Sequence, residues 1–331
     1  MEKIQDQIKV IRSLINGYKK SQIIISAEQL GIFDKLSDKG YSSSELSSCL
    51  KLDPDRLLPI LSALVNFSIL IKKKDTYCLN EKFSLLNKNN PASQLGYIRH
   101  ARGVMLKWTG LTECVKNQAI SQNNFHDITG NDQIATYSFM EAMHANALPQ
   151  ANYLSSNFDF ESHKILDIGA GTGVYSTSVG KKYLKSHGVL IDLPSVVKIT
   201  KEYIQKESLE DRFKTIACDY NLSIPEDIFD DVFAFAIIHQ ENVKTLNSLL
   251  NSIYEVLKTN GRLFLTSFFL DDNLTKPDFS VMFAVEMLTM TSTGKTYTHT
   301  EINDILLECN FKNIHRVNEI PGPATLYVAE K

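Results

Sequence analysis

The sequence lacks any apolar run that approaches the ~20 consecutive residues needed to cross a membrane. Its first residues, MEKIQD, also lack the basic segment followed by an apolar stretch that marks a secretory signal. Together these absences predict a protein that works in the cytoplasm and does not have a membrane as its partner.

Cysteine is scarce, with five residues in a chain of 331. The five are far apart, and none belongs to a C-x-x-C pair or to a spacing typical of zinc ligands. We therefore expect reduced thiols, no disulfide framework and no metal site. The cysteines are Cys49, Cys78, Cys114, Cys218 and Cys309.

An excess of charge of one sign is also absent, because 35 basic residues face 38 acidic ones and the net charge is −3. Proteins that bind nucleic acids or acidic membranes usually carry a clear basic surface. The balance therefore predicts no nucleic acid partner. With 43% hydrophobic residues the chain is long enough to bury two cores, and the expected partner is a small molecule.

Residues 1–100 are predicted to form a mostly helical winged-helix domain. Capping signals at Ser42 and at Asp53 each open an amphipathic helix. Two apolar runs, 68–71 and 76–79, flank a lysine-rich turn and indicate a hairpin. Residues 101–156 are predicted to be a helical connector that contributes to a substrate pocket, with a polar loop near 121–132.

From residue 157 to residue 331, short apolar runs recur at the spacing of βαβ units. Near-continuous apolar strands are typical of a parallel sheet that is covered by helices on both faces. The last two runs favour an antiparallel pair, so the fold class is α/β. The predicted strands are Lys164–Ile168, 188–191, 214–217, 231–238, 262–268, 314–317 and 325–329.

A glycine-rich turn follows the first of these strands, with Gly169, Gly171 and Gly173 shortly after Asp167. Glycines permit positive φ and let a ligand approach the backbone at the carboxyl end of the strand. The G-x-G-x-G spacing differs from the G-x-G-x-x-G of folds that bind a pyrophosphate. The turn favours a nucleotide-like ligand without a pyrophosphate, and a tight turn without any ligand is the alternative.

Acidic residues end the next two strands. Asp192, which precedes Leu193, can accept hydrogen bonds from ribose hydroxyls. Asp219 can bind the exocyclic amine of adenine while the neighbouring Tyr220 covers the ring. Each position alone also fits an ordinary strand-end turn, whereas three agreeing strand ends predict a site for an adenosyl group.

These motifs resemble those of the methyltransferase family that includes plant caffeate-type and bacterial polyketide and phenazine O-methyltransferases. The resemblance covers nearly the whole chain and is specific for the family, not for a substrate. It rests on LGIF at 30–33, on residues 167–173, on DLP at 192–194 and on GKTYT at 294–298.

The resemblance implies S-adenosyl-L-methionine as the cofactor and methyl transfer to a small molecule, at a hydroxyl of a secondary metabolite. It also implies a Rossmann-like, seven-stranded sheet whose last strand is antiparallel. The N-terminal domain would form a homodimer, with helices that interlock with those of the partner and help to roof its active site.

His239 directly follows the fourth predicted strand, at the edge where an open α/β sheet keeps its ligands. The resemblance implies that it removes the proton of the substrate hydroxyl, and a buried structural histidine is the alternative. Plant members have an aspartate at the position of Gln240 and carboxylates at the positions of Ser267 and Thr296. These departures predict that His239 is a weaker base than usual. The acceptor would then be either an acidic hydroxyl that needs little help or an atom of carbon, nitrogen or sulfur.

Glu286 lies in an apolar helical stripe whose other members are Phe279, Met282, Phe283, Met287 and Met290. A carboxylate within such a stripe is costly unless it is paired or functional. We predict that Glu286 faces the pocket as a second catalytic residue, and a solvated residue at the edge of the stripe is the alternative. Met287 and Met290 are predicted to contact the substrate.

Phe139 and Met143 are four residues apart on a predicted helix. They match an aromatic-plus-methionine pair that lines the substrate pocket in the family, and ordinary core packing is the alternative.

Three functions remain open at the level of the sequence. The first is the methyltransferase, and the second is a relative with the same fold and cofactor that catalyses another reaction, such as a cyclisation or hydroxylation. The third is a regulator that binds DNA through the winged helix. We rank it last, because residues 56–64 offer one arginine and one serine for contacts with DNA.

Overall fold

The computed structural model describes residues 2–90, 92–117 and 133–331. They form two compact units, one that extends to Gly103 and one that is Val104–Lys331. The predicted polar loop at 121–132 lies outside the described residues. The finer division at residues 100 and 156 stays a prediction.

The first unit consists of helices and a small antiparallel sheet. Its elements are α1 (Glu2–Ile15), α2 (Tyr18–Gln29), α3 (Ile32–Leu36), β1 (Tyr41–Ser42), α4 (Ser43–Leu50), α5 (Pro54–Asn66), β2 (Leu70–Lys73), β3 (Thr76–Leu79), a 3₁₀ helix at Glu81–Leu86 and α6 (Leu95–Trp108), which continues into the second unit.

The predicted arrangement of two helices and a hairpin is confirmed. A reciprocal cap opens α4, since the Ser42 hydroxyl accepts the backbone N–H of Glu45 and the Glu45 carboxylate accepts that of Ser42. The hairpin pairs β2 with β3, and β1 adds a third strand. β2 begins at Leu70, two residues later than predicted, because Ser68 has a φ of 62° and belongs to the turn.

The second unit is an α/β fold around one sheet. Its further elements are α7 (Leu111–Asn117), α8 (Gln133–Asn157), β4 (Lys164–Ile168), α9 (Val174–Lys182), β5 (His187–Asp192), α10 (Pro194–Lys206), β6 (Phe213–Ala217), β7 (Phe229–Phe235), a 3₁₀ turn at Ile238–Gln240, α11 (Val243–Val256), β8 (Leu257–Ser267), α12 (Asp278–Met290), α13 (His299–Glu308), β9 (Lys312–Val317) and β10 (Thr325–Glu330).

The strand order is β6-β5-β4-β7-β8-β10-β9. The pairs from β6 to β8 are parallel, whereas β10 runs antiparallel to both β8 and β9. The expectation of a seven-stranded sheet with an antiparallel last strand is therefore confirmed. The order of the strands switches at β4, because β5 and β6 are added on one side of it and β7 and β8 on the other. A crevice opens at such a switch point, outside the carboxyl end of β4.

The strand bounds differ most from prediction at β7 and β8. β7 ends at Phe235 instead of residue 238, because Ala236 has a φ of 54° and turns the chain out of the sheet. β8 begins at Leu257, five residues before the predicted start, and includes a polar stretch. His239 consequently lies in the turn after β7 and not directly at the end of the strand.

Both faces of the sheet are covered, as the parallel strands require. Successive residues of β4 point to opposite sides. Ile165 belongs to a core cluster with Val179 of α9, and Leu166 belongs to a second cluster with Ile253 of α11. No helix in the described ranges has both the length and the apolar character of a membrane span.

A buried ionic network joins the amino ends of β4 and β7 to the middle of β8. Asp231 is fully buried, and its carboxylate accepts Nε of Arg262 at 2.7 Å and contacts Nδ1 of His163 at 2.6 Å. The hydrogen bond to Asp231 raises the pKa of His163. This network fixes three segments at the end of the sheet that is opposite the crevice.

Candidate active site

The glycine loop connects β4 to α9 and adopts the backbone predicted for it. Gly169, Gly171 and Gly173 have φ values of 63°, 57° and 74°. A Cβ atom on Gly169 would lie 2.6 Å from Cγ2 of Ile237, and one on Gly173 would lie 2.7 Å from Cδ2 of Leu190. Within 4 Å and among the described residues, a Cβ on Gly171 would meet only Sδ of Met140, at 3.7 Å. Close packing thus requires two of the glycines, and the third leaves room for a ligand beside the backbone.

Asp192 joins the end of β5 to this loop. One carboxylate oxygen accepts the backbone N–H of Gly171 at 2.7 Å, and the other accepts that of Leu193, also at 2.7 Å. A carboxylate oxygen has a second lone pair, so each can still accept a hydroxyl of a ribose. The predicted role of Asp192 is compatible with this geometry.

Asp219 and Tyr220 follow β6 and are half-buried. Burial raises the pKa of Tyr220 well above its usual value, and the negative charges of Glu241, Asp192 and Asp219 raise it further. The Tyr220 hydroxyl therefore keeps its proton and donates a hydrogen bond to the Glu241 carboxylate, with an oxygen–oxygen distance of 3.0 Å. The Tyr220 ring borders Gly169, since Cε1 would be 3.9 Å from a Cβ placed there.

The predicted cofactor residues at the ends of three adjacent strands are thus brought together at one edge of the sheet. Asp167 is different, because it is buried beneath the loop. Its carboxylate accepts the hydroxyl of Ser176 in α9 at 2.6 Å, and burial raises its pKa to about 7. It holds the first turn of α9 under the glycine loop.

His239 is buried, with 8% of its surface exposed. Burial lowers the pKa of its imidazole to about 4. Its Nδ1 lies 3.4 Å from the Ser267 hydroxyl, and the ring of Phe283 meets it edge-on at 4.8 Å. Among the residues that the structure describes, no ion pair includes His239. The described neighbours of the imidazole are thus a hydroxyl and an aromatic ring, and the role of His239 as a base stays a prediction.

Thr296 is the second residue at which the family resemblance leads us to expect a carboxylate. It is 7% exposed, and its hydroxyl has no hydrogen-bond partner in the described parts of the chain. The segment around it contacts the histidine turn, because the backbone N–H of Lys295 donates to the His239 carbonyl at 2.9 Å. A buried hydroxyl without a partner next to this turn is available to a ligand.

Glu286 is half-buried on α12, three residues after Phe283. Burial raises the pKa of its carboxyl group, although a hydrogen bond with the Trp108 side chain acts in the opposite direction. Residues three apart lie on the same side of a helix, so Glu286 is on the side of α12 that Phe283 turns toward His239.

The rest of the predicted stripe is partly wrong. Phe279 is 47% exposed and Met282 is 55% exposed, so this end of α12 does not face inward in the single chain. Met287 and Met290 are buried as expected, at 6% and 7%. The helix is apolar on nearly every side, and periodicity therefore does not identify its inner face.

Phe139 and Met143 lie on α8 and pack in a small cluster with Leu193 and with Val196 and Ile199 of α10. They therefore border the Asp192 side of the crevice. Met287 and Met290 lie on α12, the helix that brings Phe283 to His239. Among the described residues, the first pair therefore lies near Asp192 and the second lies on the helix that contacts His239.

Two polar residues of the site were not predicted from the sequence. Glu241 is 5% exposed and accepts both the Tyr220 hydroxyl and the Asn221 amide. His144 of α8 lies with Nδ1 2.8 Å from the Thr172 hydroxyl in the glycine loop. The only signal in the sequence is that each is a polar residue near a predicted functional residue, His239 or Met143.

The described residues contain no group of three or more histidine, cysteine or acidic side chains that could hold a metal ion.

Comparisons with known proteins identify two regions of the chain. The profile of the O-methyltransferase domain matches residues 108–312, and that of the O-methyltransferase dimerisation domain matches residues 12–89. Among curated proteins, the S-adenosyl-L-methionine-dependent methyl transferase PigF of a Serratia species is 23% identical over 95% of this chain and 93% of its own. The tetracenomycin polyketide synthesis 8-O-methyl transferase TcmO of Streptomyces glaucescens is 24% identical over 97% and 96%.

Solved structures show the same fold. The chain of PigF with SAH superposes with a TM-score of 0.89, at 22% identity over 99% of both chains. The mitomycin 7-O-methyltransferase MmcR superposes with a TM-score of 0.88, at 20% identity over 100% of this chain and 99% of that one.

Proposed function

Because this chain belongs to the O-methyltransferase domain family, we propose that its acceptor is a small secondary metabolite that is methylated at a hydroxyl group. The chain is a methyltransferase, and the cofactor of the family is S-adenosyl-L-methionine. One observation carries the proposal. The adenosyl-binding candidates at three strand ends converge on the glycine loop, whose Gly169 packs against Ile237 in the turn that leads to His239.

The residues present fit the cofactor. The open side of Gly171 would admit the ligand beside the backbone of the loop, and Asp192 would accept the ribose hydroxyls. Asp219 and Tyr220 would hold the adenine, and Leu193 would contact the cofactor beside Asp192. Gly169 and Gly173 shape the loop, and Asp167 supports it from the protein interior.

S-adenosylmethionine supplies an electrophilic methyl group when it is bound. The task of the protein is to position an acceptor oxygen in line with that group and to accept the proton that the hydroxyl loses. We propose His239 and Glu286 for the second role. Since burial lowers the pKa of His239 to about 4, it is a weak proton acceptor on its own.

Glu286 has the complementary property. Its raised carboxyl pKa makes it a better proton acceptor than an ordinary glutamate. A substrate hydroxyl that is itself acidic would need little help from either group. We therefore propose a phenol-like acceptor, with Phe139 and Met143 against one side of it and Met287 and Met290 against the other.

The direct test is transfer of a labelled methyl group from the cofactor to molecules in extracts of source cells, followed by identification of the product. His239→Ala is expected to lower turnover roughly tenfold or more with little change in cofactor affinity, as for a group that acts in the transition state. Glu286→Gln keeps the size and removes the charge, so a catalytic role predicts a large drop in kcat/KM at an unchanged melting temperature. Unchanged kcat/KM in both variants would contradict the assigned roles.

A second reaction class is methylation of carbon, nitrogen or sulfur, or a non-methylating reaction with the same cofactor. It is favoured by the two hydroxyls, Ser267 and Thr296, that stand where plant members have carboxylates. The N,N-dimethyltransferase OxyT of Streptomyces rimosus, 24% identical over 81% of this chain, is a relative named for nitrogen methylation. Labelling with extract would distinguish these products by the bond to the new methyl group, and a product without label would indicate the non-methylating reaction.

The chain carries an O-methyltransferase dimerisation domain. We propose that it forms a homodimer through this unit, supported by the exposed apolar side chains of α1, such as Ile11 at 55% and Leu14 at 77%. We also propose a cytoplasmic location, which the five free cysteines support because disulfides are rare there.

A further inference from the structure

Glu241 is a buried carboxylate outside the set of residues considered so far for binding or catalysis. It is 5% exposed. Its Oε1 accepts the hydroxyl of Tyr220 at 3.0 Å and the side-chain amide of Asn221 at 3.0 Å. Burial of a carboxylate is costly unless hydrogen bonds compensate it, and bonds to a charged acceptor are the stronger kind. Both donors come from the segment that follows β6, so the Glu241 side chain holds this segment in place.

The orientation of the Tyr220 ring depends on this hydrogen bond. The ring borders Gly169 at one edge, and its hydroxyl at the other end is tied to Glu241. Because the pKa of Tyr220 is far above neutrality, the hydroxyl remains a donor and needs an acceptor. Without Glu241 the ring would lose the contact that selects its orientation beside the glycine loop.

The backbone of Glu241 is fixed from the other side. Its carbonyl accepts the hydroxyl of Tyr297 at 2.8 Å, and Tyr297 is 1% exposed. Glu241 directly follows the 3₁₀ turn that contains His239, and the carbonyl of His239 accepts the backbone N–H of Lys295. One residue therefore joins the histidine turn, the segment 295–297 and the segment 220–221.

We propose that Glu241 is a positioning residue of the cofactor site, which orients the Tyr220 ring against the glycine loop and links it to the turn that carries His239. The inference rests on the proposed role of Tyr220 in holding the adenosyl group. Glu241 acts through Tyr220, so removal of either partner of the hydrogen bond has the same effect on cofactor affinity.

The test measures the Kd of S-adenosylhomocysteine by calorimetry in the unaltered protein and in a set of variants. Glu241→Met keeps the length of the side chain and removes the acceptor, and it is expected to raise Kd about tenfold, the loss typical of one hydrogen bond to a charged group. Tyr220→Phe keeps the ring and removes the donor, and is expected to raise Kd by a similar factor. Glu241→Gln keeps an acceptor and is expected to bind within about threefold of the unaltered protein.

The double variant decides between a shared and a separate role. Residues that act through one contact are not additive, so Tyr220→Phe with Glu241→Met is expected to bind no worse than Glu241→Met alone. It should also melt at a higher temperature, because the buried hydroxyl left without an acceptor is gone. Effects that multiply would mean that Glu241 contacts the ligand independently and would overturn the positioning role.

Asp230→Asn is the matched control for loss of a hydrogen-bonded carboxylate. Asp230 accepts the backbone N–H of Lys164 at 2.8 Å, at the end of the sheet that is opposite the glycine loop. If Glu241→Met lowers the melting temperature as this control does and leaves Kd unchanged, Glu241 is a structural residue only. If Glu241→Met does not fold, Tyr220→Phe carries the test, and an unchanged Kd in that variant refutes the inference.

The proposed function and this inference fail differently. If the unaltered protein binds neither S-adenosylmethionine nor its demethylated product, the proposed function is wrong and the positioning role falls with it. If the unaltered protein binds and the variants bind equally well, only the positioning role is refuted.

Discussion

Ser267→Asp is expected to convert His239 into a stronger base. The Ser267 hydroxyl lies 3.4 Å from Nδ1 of His239, so a carboxylate on the slightly longer side chain would reach that nitrogen. In the native protein burial lowers the pKa of His239 to about 4, because the imidazolium has lost its hydration. An opposite charge within ~4–6 Å favours the charged form and typically moves a pKa by ~1–3 units.

The pH dependence of kcat/KM measures this change. A general base must be unprotonated, so activity falls as the pH drops through its pKa. In the native enzyme this fall is expected near pH 4 if His239 is the base. In Ser267→Asp it is expected ~1–3 units higher, with faster turnover above the new pKa.

Ser267→Asn is the matched control, since it has the size of aspartate without the charge. Ser267 is 2% exposed, and melting temperatures of both variants show whether the fold tolerates the larger side chain. The reasoning is refuted if Ser267→Asp remains folded and its acid limb coincides with that of Ser267→Asn. A limb that moves in Glu286→Gln instead would identify the glutamate as the base.

Three further predictions concern binding, stability and assembly. Asp192→Ala is expected to abolish measurable heat of cofactor binding in calorimetry while the protein stays folded, because the variant removes the proposed ribose acceptor and the hydrogen bond from the backbone of the glycine loop. Asp231→Asn is expected to lower the free energy of unfolding by ~3–5 kcal/mol in denaturant titration, and the same substitution at the exposed ion-pair residue Asp227 is expected to have a much smaller effect. Asp231 raises the pKa of His163, so the stability that this pair contributes is complete below pH ~6.5 and is lost as the pH rises through the folded-state pKa of His163. Denaturant titrations at several pH values check the sign of this dependence. Light scattering is expected to find a dimer at micromolar concentration and a monomer for Leu14→Asp, and a monomeric unaltered protein would contradict the dimer.

The parts of the fold that the sequence predicts well are those determined by local pattern. The strand Lys164–Ile168 matches its predicted bounds because a buried parallel strand is a continuous apolar run and the glycine after it ends the run. The end of β7 was placed too late, since the run stays apolar through Ile238 while the backbone leaves the sheet at Ala236. Hydrophobicity does not report a change of φ.

Contacts between distant segments account for what the sequence did not predict at the site. Glu241 and Tyr220 are 21 residues apart, and His144 and Thr172 are 28 apart. Such pairs depend on how the strands and helices pack, and no period in the chain records them. The sequence also does not show which face of α12 is buried. Phe279 and Met287 are both large apolar residues, yet Phe279 is exposed and Met287 is buried.

The position of β10 between β8 and β9 has a consequence for synthesis of the chain. β9 leaves the ribosome before β10, yet it can join the sheet only through β10. Until residues 325–330 emerge, β8 is an open edge, and unpaired edges of this kind promote association with other chains. The second unit therefore completes its sheet only after β10 has been made. During translation, the β8 edge is protected either by chaperones or by rapid synthesis and pairing of β10.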